Sequence, residues 1–250
     1  ALPLWVCLRG GLKWTPAFSV SDPDLRDWLR MSLPIMLGWS IVAMDDPLIT
    51  RFASRLGAGE TALLNYAKTL MRVPMGVFGA AMAYAAYPTL ARLFAQGRTA
   101  ELRGALASAI ERVLLLAFAS QVILTAGGPE IGTLVYTARR IPPADLETLG
   151  LYLSLFSVGL PAWSLQILLS RGFYARRRAW LPTWLGTGIM VLFVPVYWQM
   201  GERFGGAGLA VTSALAISTY ALLLAALLHR ELDREERGAA AGPGAQGESD

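Results

Sequence analysis

The sequence predicts an all-α integral membrane protein whose main part is a lobe of six transmembrane helices. Its 250 residues are 54% hydrophobic and only 16% charged, with a mean hydropathy of +0.45, whereas ordinary soluble domains carry about 25% charged residues. Charge-poor apolar segments also recur at about the 20-residue length that crosses a bilayer. Both observations favour a membrane protein over a soluble one.

The six predicted spans lie between residues 31 and 230. They are approximately 33–53, 73–90, 113–136, 149–170, 179–200 and 205–228. The second, fourth, fifth and sixth contain no Asp, Glu, Lys or Arg, and the third contains only Glu130. The first is the exception, because it carries two adjacent carboxylates, Asp45 and Asp46, past its midpoint.

The two ends of the chain are predicted to lie outside this lobe. Residues 1–30 open with "ALPLWVCLRG", an apolar stretch too short for a signal peptide with a cleavage site. They are interpreted as the end of a preceding helix plus a cytoplasmic loop, so that the chain is a fragment. Residues 231–250 end in small and polar residues with little to bury and are expected to form a disordered cytoplasmic tail.

The positive charges predict an orientation. Most Lys and Arg residues fall in alternate loops, and such loops lie in the cytoplasm. Both ends of this segment are therefore expected to be cytoplasmic. The local run "RGFYARRRAW" at 171–180 is better explained as a positive loop with interfacial aromatics than as a nucleic-acid surface, so no nucleic-acid partner is expected.

Enzymatic and metal sites find little support in the sequence. Cys7 is the single cysteine and His229 the single histidine, so neither a disulfide nor a His/Cys metal site can be built within the chain. There is no Gly-rich phosphate loop and no Ser-His-Asp set. We expect no catalytic residue, no metal and no cofactor.

The acidic pair is the first candidate site. Carboxylates within a bilayer are costly and usually face a water-filled cavity or a partner charge. Pro47 follows them and is predicted to act as a hinge, since proline removes a backbone donor and frees the carbonyl of Ala43. Asp45 and Asp46 are assigned a coupling or charge-balance role. The alternative is that the helix ends near Met44 and the pair belongs to an exterior loop.

A basic group on the same outer side is the second candidate. Arg51 and Arg55 are four residues apart, and Lys68 and Arg72 repeat that spacing, which places each pair on one helical face. Two facing pairs would bind a phosphate, for which Arg offers planar bidentate donors. These four residues are the predicted substrate-binding set. They are equally consistent with solvated loop charges whose counter-ions are the nearby carboxylates.

Several ordered motifs resemble one known family. They are "LP..LG" at 33–38, "FAS.LG.G" at 52–59, "LNYA" at 64–67, "P.GVFG.A.....YP.L.R" at 74–92, "GLPAWSLQILLSRGFYA" at 159–175 and "GGAGLAVTSALA" at 205–216. With this order the sequence is similar to the second lobe of MurJ-type (MviN) lipid II flippases, in the multidrug/oligosaccharidyl-lipid/polysaccharide (MOP) exporter superfamily. The similarity covers roughly residues 22–230.

The resemblance implies a fold, an activity and partners. Such flippases have two six-helix lobes around a central cavity and work by alternating access without ATP hydrolysis. This chain then matches the seventh to twelfth helices, and the missing first lobe is a partner in cis or in trans. The substrate implied is a lipid-linked glycan, the polyprenyl-pyrophosphate-linked peptidoglycan precursor lipid II, in the bacterial cytoplasmic membrane and in contact with its lipids.

The chain also departs from the family pattern. Ile49 and Thr50 stand where relatives often carry Asp-Arg, and Lys68 and Thr69 stand at the family's acidic and cavity-facing basic positions. The segment "LGTGIMVLFVPVYWQ" lacks the Asn and Asp of the sodium site in some relatives, which argues against sodium coupling. A flippase for another lipid-linked glycan, a drug exporter and a non-transporting membrane scaffold remain alternative functions.

Overall fold

The computed structural model describes residues 44–57, 59–136, 141–176, 178 and 180–241, together with Leu25, Leu29 and Ser32. Most of the predicted segment 1–30 and most of the first span before Met44 therefore lie outside the described residues. Within the described part every regular element is helical, and the helices fall into six consecutive runs.

The first two runs contain helices α1 to α3. Helix α1 is described from Asp45 to Ala53 and has its two acids in the first turn, where they suit the positive end of the helix dipole. The second run comprises α2 (Glu60–Pro74), a π-helical segment (Met75–Ala80) and α3 (Ala81–Ala95). The π segment begins directly after Pro74, which has no amide hydrogen for the regular pattern. The predicted span 73–90 thus lies within a longer helical run, 60–95.

The third and fourth runs are each broken once. Helix α4 (Thr99–Ala126) is followed by α5 (Gly128–Tyr136), and α6 (Pro143–Ser157) by α7 (Leu160–Ala175). The second pair is bent by 43°. Helices α5 and α6 approach closely because a Cβ at Gly150 would come within 2.5 Å of the Pro129 Cα atom. The predicted apolar spans 113–136 and 149–170 correspond to these two runs, but the break within each run was not predicted.

The last two runs are the arms of one hairpin. Helix α8 (Trp180–Ala241) is interrupted at Gly205, whose φ of 58° and ψ of −141° are readily adopted only by glycine. The Tyr220 hydroxyl donates a hydrogen bond of 3.0 Å to the Pro182 carbonyl, 38 residues away. In a straight helix that separation would be roughly 57 Å. The arms 180–204 and 206–241 therefore lie antiparallel.

Length and composition allow several of these helices to cross a membrane. Among the described residues, α4 and the segment Trp180–Glu235 of α8 are long and apolar enough, and the bent pair α6–α7 qualifies if counted as one span. Because α8 is a hairpin, each arm is a separate candidate. Large apolar side chains also point outward, such as Leu134 at 84% exposure and Leu115 at 72%. Exposure of this kind suits contact with lipid rather than water.

Ion pairs extend the last helix into the predicted tail. Arg176 is 5% exposed and pairs with Glu231 at 2.9 Å and with Glu235, while Arg178 pairs with Glu231 at 2.6 Å. These four residues form what we call the tail clasp. The structure differs here from the expected disorder of 231–250, because the helix continues to Ala241. Residues 242–250 lie outside the described part.

The Arg176→Ala substitution is expected to loosen the end of α8. It leaves Glu231 and Glu235, four residues apart on one helical face, with only the exposed Arg178 as counter-ion. Amide exchange over 231–241 should accelerate at least tenfold, measured by hydrogen–deuterium exchange. Arg234→Ala is the matched control, because Arg234 is exposed on the same helix and forms no ion pair within the described residues. Equal exchange in the two variants would contradict the clasp.

Candidate functional site

The acidic pair, of which Asp45 is buried and Asp46 partly exposed, meets charges from α2. Helix α1 supplies Asp45 and Asp46, and α2 supplies Lys68 and Arg72. We call these four residues the ion-pair cluster. The alternative in which the carboxylates belong to an exterior loop is wrong, since both lie in α1 and Asp45 is only 2% exposed.

Asp45 forms the closed end of the cluster. Its Oδ2 atom pairs with the Lys68 ammonium and accepts a hydrogen bond of 2.9 Å from Ser213, and its Oδ1 atom accepts one from the Tyr197 hydroxyl. Tyr197 and Ser213 belong to opposite arms of α8. A buried charge is tolerated when it is both paired and hydrogen-bonded, and this carboxylate is both.

Asp46 and Arg72 form the open end. The Lys68 ammonium lies 2.5 Å from Asp46 Oδ1, and Arg72 pairs with the other oxygen of the same carboxylate. Lys68 is 3% exposed, whereas the Arg72 and Asp46 side chains are 45% and 38% exposed. Lys68 thus bridges a buried acid and an accessible one. The two cations balance the two anions, so the cluster has no net charge.

Aromatic rings complete the surroundings of Lys68. Its ammonium lies 5.8 Å from the centre of the Phe156 ring on α6 and 5.7 Å from that of Trp163 on α7. Both distances lie within the range of cation–π attraction. A cavity of about 20 Å³ adjoins Asp45 and is lined in part by Trp163 and Ser213, which is room for about one water molecule.

The four predicted cations do not act as one group in this structure. Lys68 and Arg72 join the carboxylates, whereas Arg51 and Arg55 are exposed near the end of α1 and form no ion pair with any described residue. The geometric reason is the helical phase, since the buried face of α1 carries Asp45, Ile49 and Ala53. Binding of one ligand by all four cations stays a prediction.

Pro47 occupies the first described turn of α1. A proline is tolerated there because the first amides of a helix have no intrahelical partner. The Ala43 carbonyl, which the hinge hypothesis concerned, lies outside the described residues. The hinge role stays a prediction.

Sequence reasoning missed Tyr197, Ser213, Phe156 and Trp163. The first two lie 152 and 168 residues from Asp45 along the chain, and both look like ordinary members of apolar spans. The local signal available was the placement of each polar group within a charge-free helix. Such a group must find a partner in the bundle, but the sequence does not indicate which one.

Metal binding has no clear donor set here. Among residues the structure describes, no group of three or more His, Cys, Asp or Glu side chains is arranged to hold a metal ion. The ammonium of Lys68 occupies the space between the two carboxylates of the cluster. Its positive charge already neutralises the oxygens that a cation would use.

A family comparison identifies the chain. The family model described as lipid II flippase MurJ matches residues 1–241. The chain belongs to the MurJ family. The resemblance inferred from the ordered motifs is confirmed.

Curated MurJ relatives match along most of this chain but only part of their own. The probable lipid II flippase MurJ of Vibrio cholerae is 24% identical over 225 residues, which is 90% of this chain and 42% of the relative. That of Rhizobium tropici is 27% identical over 215 residues, or 83% of this chain and 39% of the relative. The chain thus spans about two fifths of the length of these MurJ relatives.

Solved structures show the same architecture. A lipid II flippase MurJ in an inward closed conformation matches with a TM-score of 0.73 at 16% identity, covering 94% of this chain and 50% of that one. The Vibrio cholerae MATE transporter VcmN in its bent form matches with a TM-score of 0.77 at 14% identity, covering 94% and 52%. The MurJ-family chain is therefore an all-α membrane protein with the fold of one lobe, half of a MOP-type transporter.

Proposed function

We propose that this chain is part of a transporter that flips a polyprenyl-pyrophosphate-linked peptidoglycan precursor, lipid II, across the bacterial cytoplasmic membrane by alternating access. Membership of the MurJ family supports this substrate class. The observation that carries the proposal is the ion-pair cluster, which places one accessible cation, Arg72, at the end of a buried, charge-balanced network. The protein is a transporter without a chemical step.

The open end of the cluster is the proposed head-group contact. A pyrophosphate competes with Asp46 for Arg72 and Lys68, because both cations hold that carboxylate in the structure and phosphate oxygens offer Arg the same bidentate geometry. Arg51 and Arg55, exposed on the same outer side, then contact the head group before or after this exchange. Asp45 keeps part of the Lys68 charge balanced throughout.

The remaining assignments follow from the distribution of positive charges and from the fraction of the MurJ relatives' length that this chain spans. The segment is multi-pass with both ends cytoplasmic, in keeping with the excess of Arg in alternate loops. The first lobe, in cis or in trans, supplies the other wall of the cavity. Export of cationic drugs is less favoured, because Asp45 is already neutralised by Lys68 and offers no free carboxylate.

The test is the Arg72→Gln substitution in cells depleted of their own lipid II flippase. Loss of the guanidinium should lower lipid II translocation at least tenfold, because the remaining cation at this end is already shared between two carboxylates. Translocation is measured as surface-accessible lipid II, and membrane insertion by quantifying the protein in the membrane fraction. The side chain is half-exposed, so insertion should be unchanged.

Arg203→Gln is the control for this experiment. Arg203 is exposed close to the Gly205 turn and lies outside the cluster. It should translocate lipid II like the unsubstituted protein. If the unsubstituted gene never restores translocation, while the protein inserts normally, the scaffold alternative is favoured instead.

A further inference from the structure

A crevice between α3 and α4 is separate from the ion-pair cluster. It has a volume of about 330 Å³. Its α3 wall consists of Met82, Ala85, Ala86, Thr89 and Leu90, and its α4 wall of Ala105, Ser108, Ala109 and Arg112. Small apolar side chains therefore form most of a groove that carries two hydroxyl groups and one cation.

The crevice lies where the apolar part of α4 begins, beside the charge-free part of α3. No charged residue occurs from 113 to 129 after Arg112, or from 73 to 91 before Arg92. Arg112 thus stands at the end of the charge-free stretch of α4, on the side richer in Arg. Residues in this position lie at the level of lipid head groups.

Arg112 is chemically available at this level. It is exposed and, within the part of the chain that the structure describes, forms no ion pair or hydrogen bond. Its sequence neighbour Glu111 does not line the crevice. An Arg without a counter-ion at the mouth of an apolar groove is complementary to an anionic amphiphile, since its guanidinium binds a phosphate bidentately.

We propose that this crevice binds an anionic glycerophospholipid of the adjacent leaflet. Its phosphate contacts Arg112 and the hydroxyls of Thr89 and Ser108, and part of an acyl chain lies along the alanines of both walls. Basic pockets between transmembrane helices on the cytoplasmic side bind lipid head groups in this way. A phosphodiester fits better than a pyrophosphate, because Arg112 is the one cation lining the described crevice.

The test compares lipid retention by the full chain purified in detergent, using native mass spectrometry with added phosphatidylglycerol or phosphatidylcholine. The unsubstituted protein should retain phosphatidylglycerol in preference to phosphatidylcholine. Arg112→Gln should weaken phosphatidylglycerol binding about tenfold. Arg92→Gln is the control and should bind normally, because Arg92 is exposed on α3, the same side as one wall of the crevice, but does not line the crevice.

A second variant tests the groove itself. Ala85→Leu fills the crevice from an exposed position and should abolish retention while Arg112 is intact. Equal binding by Arg112→Gln and Arg92→Gln, or equal retention of the two phospholipids, would overturn the proposal. The proposal would also be overturned if equimolar undecaprenyl pyrophosphate displaced phosphatidylglycerol and its own binding required Arg112. The site would then belong to the pyrophosphate lipid.

Discussion

The Lys68→Met variant is expected to be less stable than the unsubstituted protein by about 3–5 kcal/mol, the range observed when one partner of a buried ion pair is removed. Methionine preserves most of the side-chain volume but leaves the buried Asp45 carboxylate without its counter-ion. The hydroxyls of Tyr197 and Ser213 still donate to that carboxylate, but they carry no charge. In thermal unfolding the midpoint should fall by roughly 10 °C.

A second variant distinguishes a stability loss caused by the unpaired charge from one caused by altered packing. The double variant Asp45→Asn/Lys68→Met removes both charges, and Asp46 keeps its pair with Arg72. It should recover most of the lost stability, because no unpaired buried charge remains. Lipid II translocation should stay low in the double variant, since a proposed substrate contact is gone. If the double variant is as unstable as Lys68→Met, the loss comes from packing around Phe156 and Trp163 rather than from the stranded carboxylate.

The Gly208→Ala variant is expected to disrupt the α8 hairpin. An added Cβ would come within 2.1 Å of the Met200 carbonyl oxygen on the opposite arm, and a backbone atom cannot rotate away as a flexible side chain does. The two arms must separate, and this strain should destabilise the protein by about 3 kcal/mol. The effect also reaches the cluster, because Tyr197 and Ser213 come from opposite arms and hold one carboxylate between them.

Gly188→Ala provides the matched control on the same helix. A Cβ at Gly188 meets no atom within 4 Å, and alanine is the better helix former by about 1 kcal/mol. Its unfolding midpoint should therefore be equal to or higher than that of the unsubstituted protein. Similar losses in both variants would show that contact between the arms does not explain the Gly208 result.

The sequence predicted the fold through one physical quantity, the length of chain without charge. This quantity locates helices in lipid well, because each long apolar run must satisfy its own backbone groups. It does not locate breaks. Gly127 and Gly205 interrupt helices, whereas Gly208 allows the two arms to pack closely, and composition alone does not distinguish these roles.

The sequence predicted the charged residues of the candidate site but not the uncharged residues around them. Lys68 and Arg72 share a face by their spacing of four residues, and the costly carboxylates had to find partners nearby. Arg51 and Arg55 have the same spacing, but α1 buries a different face, set by Ile49 and Ala53. Tyr197 and Ser213 were missed because contacts between distant helices depend on how the hairpin packs, which no local pattern encodes.

The neutrality of the ion-pair cluster has an electrical consequence. One elementary charge moved across the membrane exchanges about 2.3 kcal/mol per 100 mV with the transmembrane voltage. With Asp45 and Asp46 matched by Lys68 and Arg72, a displacement of the whole cluster transfers no net charge. In the proposed transport cycle, reorientation of the empty cluster would therefore be insensitive to voltage, and an anion bound to it would make the same movement electrogenic.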